Sequence, residues 1–350
     1  MMIRTYIIKY YDSLRKELQF IMSSTKLQQL IAQIRTNPVY IQPHNYPDPD
    51  ALASAKGLQV LLKHFQIESV ICYNGCIDKC NTLQMIELLN IDVHSECNVN
   101  LKPGDEIILV DCQKGNTNVN DFVGTVIACI DHHKLQTTNN YRFFDIRSDV
   151  GSCSTIIANY FLENKIPINQ EVATTLLYGL KMDTANLTRG VSNLDANIFC
   201  ELHKVSSPSI LRKLHSNSLT LSDLTSYVRA IENLHIVDSI GFANVGNNCS
   251  EAIIGTLSDF FLTLNEVHFV LVYSYRAGGL KFSVRSEIDC LDSARIIKEL
   301  LDGFGNGGGH AIMAAGFVPN ISSEAEAFLL ASKLEKKCVA MIHSILNDQK

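Results

Sequence analysis

The sequence lacks the features that mark membrane and secreted proteins. No stretch reaches the roughly 18 consecutive apolar residues that a membrane-spanning helix needs, although 46% of its 350 residues are apolar. The N-terminal segment lacks the uninterrupted apolar region of a signal peptide, because charged residues interrupt it. The eleven cysteines show no framework of paired spacings, which favours reduced thiols. We therefore expect a cytoplasmic protein without a membrane partner.

An excess of positive charge is also missing. The formal net charge is −6, so the chain offers no global basic field to hold a long polyanion. Internal repeats and low-complexity tracts are absent as well, and the length allows two domains. We expect no binding of long duplex nucleic acid.

Three apolar, β-prone runs each end on polar residues. These residues are His44 after the run 39–41, Asp111 after the run 106–110, and Asp131, His132 and His133 after the run 125–130. In an open parallel α/β sheet, the carboxyl ends of the strands form one ligand-binding edge. The pattern predicts a parallel-sheet α/β domain that gathers these side chains in one crevice.

A proline-rich loop follows the first run. Pro47 and Pro49 restrict the backbone around Asp48 and Asp50, and an amphipathic helix is predicted from Ala51 to Phe65. Two carboxylates two residues apart, on a stiff loop, are suited to two adjacent cations.

The combined set of carboxylates and imidazoles predicts a metal site. The candidate ligands are Asp48, Asp50, Asp111, Asp183, His44 and His132, with Asp183 at the end of a helical pattern that begins near Glu171. A single Asp or His at a strand end is more often a helix cap or a loop residue, so the prediction depends on the whole set. Four carboxylates balance the charge of two divalent ions. A mixed set of carboxylates and imidazoles suits manganese better than calcium, which prefers all-oxygen shells, and better than structural zinc, which usually recruits thiolates.

The chain resembles the DHH phosphoesterases over about residues 23 to 345. The segment from His44 to Ala51 is similar to their motif His-x-x-Pro-Asp-x-Asp-Ala. The segment from Asp131 to His133 is similar to the Asp-His-His for which the family is named. Residues 282–286 and the run 305–310, which ends in Gly-Gly-Gly-His, resemble the DHH-associated domain. The resemblance implies a metal-dependent phosphoesterase.

The resemblance also implies a role for each ligand. One ion would be held by His44, Asp48 and Asp111, and the other by Asp50, Asp111, His132 and Asp183. Asp111 would bridge the ions, and a water between them would attack the phosphate. His133 would lie close to the scissile phosphate, and Asp131 would orient its neighbours.

Candidate substrate-binding residues lie in the C-terminal half. Arg285 offers a planar fork that suits a phosphate. Gly308 and Gly309 allow backbone amides to approach an oxyanion, with His310 adjacent. An ordinary flexible turn is the alternative for the glycine run. Arg189 is either a substrate contact or an exposed loop residue.

The motifs define a domain organisation. We predict an N-terminal extension (1–22), a catalytic α/β domain (23–200), a helical connector (201–238) and a smaller α+β substrate-binding domain (239–350). Because the family-like pattern begins after Met22, translation could start there, or the preceding residues could form an added helix.

Several substrates fit these motifs. Stand-alone two-domain members resemble enzymes that degrade short oligoribonucleotides and linear dinucleotides or dephosphorylate 3′-phosphoadenosine 5′-phosphate, and we favour this function. Cyclic di-AMP hydrolysis would use the same residues and stays open. Pyrophosphatases and polyphosphatases share the metal motifs, but the Gly-Gly-Gly-His run is similar to the nucleotide-cleaving branch. A non-catalytic nucleotide sensor is disfavoured by the complete ligand set, and a homodimer is left open.

Overall fold

The computed structural model describes residues 24–77, 79–116, 118–135, 141–216, 219–276 and 278–347. The chain divides into two compact units, Met1–Ser218 and Leu219–Lys350. The predicted N-terminal extension lies outside the described residues, and so do the alternatives of a start at Met22 or an added helix.

The first unit alternates strands with helices. Its elements are α1 (Lys26–Ile31), β1 (Val39–Pro43), α2 (Pro49–His64), β2 (Ser69–Tyr73), α3 (Cys80–Leu88), β3 (Val93–Ser95), a short 3-10 helix (Glu96–Asn98), β4 (Glu106–Val110), β5 (Thr125–Asp131), β6 (Phe143–Ile146), α4 (Cys153–Glu163), α5 (Gln170–Asp183), α6 (Asn193–Val205) and α7 (Pro208–Ser216). The three predicted strands are confirmed as β1, β4 and β5, and the helix predicted to end at Asp183 is α5.

The strands form one parallel sheet in the order β3-β2-β1-β4-β5-β6. The order reverses between β1 and β4, because the strands that follow β1 add to one side and those that follow β4 add to the other. In open parallel sheets, ligands bind beyond the carboxyl ends of the strands at such a reversal. The predicted α/β sheet is confirmed, and its ligand-binding edge lies where β1 and β4 end.

The sheet is covered on both faces, which accounts for the largely apolar runs of its central strands. Every residue of β1 and β4 is buried. One face packs against a large core that includes residues of α2, α4 and α5. The opposite face carries a smaller cluster built around Tyr40, Leu109 and Phe122. Polar side chains therefore concentrate at the strand ends.

Helix α2 begins earlier than the sequence predicts, at Pro49. Asp48 is its N-cap, and Oδ1 of Asp48 accepts hydrogen bonds from the backbone N–H groups of Asp50 (2.9 Å) and Ala51 (3.1 Å). Proline is favoured in the first turn because its missing N–H would have no intrahelical partner there. The loop thus presents Asp48 alone, and Asp50 lies inside the helix.

The second unit has its own six-stranded sheet. Its elements are α8 (Asp223–Glu232), β7 (His235–Val237), β8 (Ile240–Asn247), α9 (Glu251–Phe261), β9 (Phe269–Arg276), β10 (Gly279–Ser286), α10 (Ser293–Leu300), β11 (Asn306–Gly309), β12 (Met313–Pro319) and α11 (Glu324–Asn347). The strand order is β11-β12-β10-β9-β8-β7, with β8 and β9 parallel and the other pairs antiparallel. This mixed sheet with helices confirms the predicted α+β class.

The stretch 201–238, predicted as a connector, contains the end of α6, the helices α7 and α8, and β7. The division between the units falls inside it. Its exact limits stay a prediction. Among the described residues, no helix combines the length and apolar character that a bilayer crossing requires.

Candidate metal centre

Three overlapping groups of metal-type ligands lie where β1, β4 and β5 end. The groups are Asp111, His132 and His133; His44, Asp48 and Asp111; and Asp50, His132 and Asp183. Within each group the ligand atoms lie within 4.8 Å of one another. Asp111 and His132 each belong to two groups, so the groups form one continuous cluster. The structure thus brings all six predicted ligands together with His133.

Asp111 occupies the centre of this cluster. Its Oδ2 lies 3.7 Å from Nε2 of His44, and its Oδ1 lies 3.3 Å from Nε2 of His132. Asp111 is 2% exposed, and its Oδ1 has no hydrogen-bond partner among the described residues. Its φ of 60° is left-handed, a conformation that Asp tolerates better than most residues. A buried carboxylate between two imidazoles, with one oxygen unsatisfied, is suited to accept a cation.

The imidazoles present their Nε2 atoms to the carboxylates. Nδ1 of His44 lies 2.8 Å from the carbonyl oxygen of Asn45, and Nδ1 of His132 lies 3.3 Å from that of Val150. A carbonyl oxygen can only accept, so each Nδ1 carries the hydrogen and each Nε2 is left to face carboxylate oxygens. The lone pair of an unprotonated Nε2 and a carboxylate oxygen repel each other unless a proton or a cation lies between them. The donor set therefore fits a metal ion.

Asp50 is held by the N-terminus of α4. Its Oδ2 accepts a hydrogen bond from the backbone N–H of Cys153 (2.7 Å), and its Oδ1 accepts one from Ser154 (2.9 Å). The helix dipole adds attraction for the negative charge. Nothing in the sequence motifs predicts this contact, because the partners are about a hundred residues apart.

Gly179 permits close packing beside Asp50. A Cβ atom at this position would lie 2.4 Å from Oγ of Ser154, 2.7 Å from Cβ of Ala53 and 3.1 Å from Cα of Asp50. Because a side chain would not fit, glycine lets α5 approach α2 and α4. Asp183 lies one helical turn further along α5, so this packing helps to place its carboxylate.

The clustered charges shift the pKa values of the ligands. Burial raises the pKa of Asp50, and the carboxylates of Asp111 and Asp183 raise it further. Burial also raises the pKa of Asp111. Burial would lower the pKa of His44, but the carboxylates of Asp48 and Asp111 and the carbonyl of Asn45 together outweigh it and raise the pKa to about 9. The cluster thus retains positive charge, as protons when no metal ion is bound.

Asp131 lies behind the two adjacent imidazoles. Its Oδ1 accepts the backbone N–H of His132 (2.8 Å) and lies 2.8 Å from Nδ1 of His133. Its Oδ2 accepts a hydrogen bond from Nε2 of Gln113 (2.7 Å). Burial would raise the pKa of Asp131, but His133, Gln113 and His132 together outweigh it and the pKa is lowered. Gln113 was not predicted, although its position two residues after Asp111 was a usable signal.

Arg189 secures the end of α5. Its Nη2 and Nε donate to the backbone carbonyl of Asp183 at 2.7 and 3.2 Å, and Nη2 lies 4.0 Å from the Asp183 carboxylate. Between Asp183 and Arg189, three consecutive residues have a left-handed backbone conformation: Ala185, Asn186 and Leu187, with φ of 47°, 58° and 65°. Such consecutive residues are strained, and strain of this kind concentrates at functional sites. Arg189 is therefore engaged in holding the ligand-bearing turn.

In the second unit, Arg285 is fixed by three neighbours. Its Nε donates to Oδ1 of Asp259 at 2.5 Å, and its Nη1 donates to Oγ of Ser283 (3.1 Å) and the carbonyl of Val284 (3.0 Å). A Cβ at Gly255, one turn before Asp259 on α9, would lie 3.5 Å from Nη2. Among the described residues these bonds involve Nε and Nη1 and not Nη2, and the side chain as a whole is 11% exposed.

The glycine run of the second unit is a strand. Gly308 and Gly309 belong to β11 and pair with Ala315 and Ala314 of β12. Gly309 has a φ of 146°, and a Cβ there would lie 2.5 Å from the carbonyl oxygen of Met313. The N–H of His310 donates to the same oxygen at 2.7 Å. The alternative of an ordinary flexible turn is therefore wrong for these two residues.

The chain matches two family models. The model described as "DHH family, N-terminal domain" matches residues 38–180, and the model of the DHHA1 domain matches residues 236–338. The first range contains every candidate ligand except Asp183, which lies three residues beyond it. The second range contains Arg285, Gly308, Gly309 and His310.

Curated proteins resemble the chain at moderate identity. An uncharacterized protein of Methanocaldococcus jannaschii is 28% identical over 283 residues, which cover 81% of this chain and 58% of that protein. The chain thus spans less than two thirds of that relative's length. A probable manganese-dependent inorganic pyrophosphatase of Streptococcus thermophilus is 24% identical over 261 residues, which cover 73% of this chain and 83% of the relative.

Two solved structures share the fold. An exopolyphosphatase-related protein from Bacteroides fragilis aligns with a TM-score of 0.73 and 18% identity, covering 90% of this chain and 97% of that chain. RecJ from Thermus thermophilus, in complex with Mn2+, aligns with a TM-score of 0.52 and 14% identity, covering 90% of this chain and 54% of that chain. At these identities the likeness concerns the fold alone.

Proposed function

Because this chain belongs to the DHH family of phosphoesterases and carries a DHHA1 domain, we propose that it uses two manganese ions to hydrolyse short oligoribonucleotides and linear dinucleotides. We propose 3′-phosphoadenosine 5′-phosphate as a further substrate. The similarity to a probable manganese-dependent inorganic pyrophosphatase supports metal-dependent hydrolysis at a phosphorus centre as the reaction class.

The observation that carries the proposal is the linked arrangement of ligands around Asp111. One oxygen of Asp111 faces His44 and the other faces His132. A carboxylate oxygen of Asp48 lies 3.8 Å from Nε2 of His44, and one of Asp183 lies 3.1 Å from Nε2 of His132. A carboxylate that faces two separate ligand sets is suited to bridge two ions. This supports two adjacent ions rather than one.

The side chains of the cluster have different roles in the proposed reaction. When bound, divalent ions would activate a water and stabilise charge that develops on the phosphate oxygens. Asp111 is buried and fixed by its backbone, so it sets the spacing of the two ligand sets. Asp131 orients His132 and His133 through its hydrogen bonds. Because the side chain of His133 is 31% exposed, a substrate phosphate can reach it.

We favour a nucleotide over a smaller anion because the second unit carries the run that ends in Gly-Gly-Gly-His. Arg285 lies in the DHHA1 match, and its Nη2 edge suits a phosphate oxygen. The net charge of −6 disfavours long polyanions, so we propose short RNA or small nucleotides as ligands and no long duplex. Cyclic di-AMP is the second candidate, since the same groups would serve it. Pyrophosphate is the third, since it is the substrate named for the Streptococcus thermophilus relative.

A panel of substrates tests this proposal. Purified protein with manganese would be offered a 5′-phosphorylated diribonucleotide, a five-nucleotide RNA, 3′-phosphoadenosine 5′-phosphate, cyclic di-AMP and pyrophosphate, with Asp111→Asn as the control. We expect preferential cleavage of the linear RNAs or the bisphosphate, lost in the control. Preference for cyclic di-AMP or pyrophosphate would overturn the substrate assignment. Manganese binding without any cleavage would favour a nucleotide sensor.

Arg285→Ala is expected to weaken substrate use without unfolding the second unit. A hydrogen bond to a charged group contributes about 1.5 to 3 kcal/mol, so kcat/KM for a dinucleotide should fall about tenfold to 150-fold. Arg285→Lys is the matched control, because it keeps the charge and loses the fork, and it should recover only part of the loss. An unchanged kcat/KM, or a loss explained by a lower melting temperature, would remove Arg285 from the substrate site.

A further inference from the structure

Tyr46 is an exposed aromatic residue within the metal-ligand loop. It is 62% exposed, whereas every other residue from 39 to 55 is buried or half-buried. His44 and Asp48, both in the candidate metal cluster, lie two residues before and after it. Two residues of chain span at most about 7 Å, so the Tyr46 backbone lies close to both ligands.

The backbone of Tyr46 is held in an unfavourable conformation. Its φ is 55°, which is rare for a bulky side chain and costs on the order of 1 kcal/mol or more. The N–H of Tyr46 donates to the carbonyl oxygen of Asn74 at 3.0 Å, so the loop is tied to the end of β2. A strained position that is fixed by a hydrogen bond and yet exposes an aromatic ring needs a reason other than core packing.

The ring of Tyr46 rests on Gly75. A Cβ atom at Gly75 would lie 2.8 Å from Cδ1 and Cε1 of the ring, and the φ of Gly75 is 92°. Only glycine lets the ring lie there. The contact supports one side of the ring while most of the residue stays in solvent. Tyr46 therefore has the form of a fixed aromatic platform beside the metal cluster.

We propose that Tyr46 stacks on the nucleobase adjacent to the scissile phosphate and so discriminates nucleotides from inorganic phosphates. The inference rests on the proposed function, because it needs a nucleotide whose phosphate lies at the metal cluster. The base is joined to its phosphate through a single sugar, so a base can reach a ring next to the ligands. Stacking on an aromatic ring accepts any base, which suits an enzyme acting on short RNA of mixed sequence.

Binding measurements with and without the base test this inference. The ligands are a 5′-phosphorylated dinucleotide with a methylene group in place of the scissile bridging oxygen, and the same backbone without bases, each titrated calorimetrically with manganese present. Tyr46→Asn removes the ring, and Asn tolerates a left-handed φ, so the loop backbone is retained. Tyr46→Phe keeps the ring, and Phe144→Thr removes another exposed aromatic residue of the same unit.

We expect Tyr46→Asn to weaken binding of the base-containing ligand about tenfold to a hundredfold and to leave the abasic ligand unchanged. Tyr46→Phe and Phe144→Thr should bind both ligands as the wild type does. Equal losses for both ligands would overturn the inference, because they would indicate a disturbed metal loop. So would a wild type that binds both ligands equally, although the phosphoesterase function would stand. A wild type that binds neither ligand would overturn the proposed nucleotide function as well.

Discussion

Asp111→Asn is expected to lower kcat at least about a thousandfold, because several kcal/mol of metal-derived stabilisation are lost at about 1.4 kcal/mol per tenfold in rate. The two carboxylate oxygens of Asp111 separately face His44 and His132. An amide offers one oxygen and no negative charge, so it cannot serve both ligand sets. Steady-state hydrolysis of the preferred substrate across a range of manganese concentrations measures the loss.

The same variant separates chemistry from folding. Asparagine has the shape of aspartate and tolerates the φ of 60° at position 111, so the backbone is preserved. In a chelator, the variant should melt no lower than the wild type, because burial at position 111 disfavours the charged form of the carboxyl group and a neutral amide avoids that cost. A much lower melting temperature would indicate a structural role for Asp111. Retained activity would contradict its place as the bridging ligand.

Manganese is expected to raise the melting temperature by about 10 °C. A ligand at a thousand times its Kd adds about 4 kcal/mol of stability. The melting temperature of a domain of this size rises by about 2 to 4 °C for each added kcal/mol. The ions would relieve the repulsion among the carboxylates of the cluster. Thermal unfolding with manganese and with a chelator measures the effect, and Asp111→Asn should lose most of it. No shift in the wild type would contradict a metal site.

The manganese effect should also grow with pH. The pKa of His44 is raised to about 9 from an ordinary value of 6.5, and the pKa values of Asp50 and Asp111 are raised too. For His44, the raised pKa gives the metal-free protein stability that is complete below pH 6.5 and is lost as the pH rises through about 9. Metal must displace these protons, so its stabilisation should be larger at about pH 8.5 than at about pH 6.5. An equal shift at both values would contradict protonation of the empty cluster.

Local patterns in the sequence determined much of the fold and singled out the candidate ligands. The runs that form β1, β4 and β5 are largely apolar because both faces of the sheet are buried, and such a run can be recognised without its neighbours. The carboxyl ends of parallel strands share one edge, so the sequence predicts that His44, Asp111 and His132 lie together. The start of α2 was missed by two residues, because Pro49 is compatible with both a loop and a first helical turn.

The tertiary structure alone decided how the ligands are held and oriented. Asp50 is bound by N–H groups of α4, and Asp131 by Gln113, through contacts between distant or irregular segments that leave no periodic trace in the sequence. The local sequence of Gly308 and Gly309 is typical of a turn, but their pairing with β12 makes this segment a strand. Local propensity is set by neighbours in the chain, whereas these hydrogen bonds exist only after distant backbone segments have been packed together.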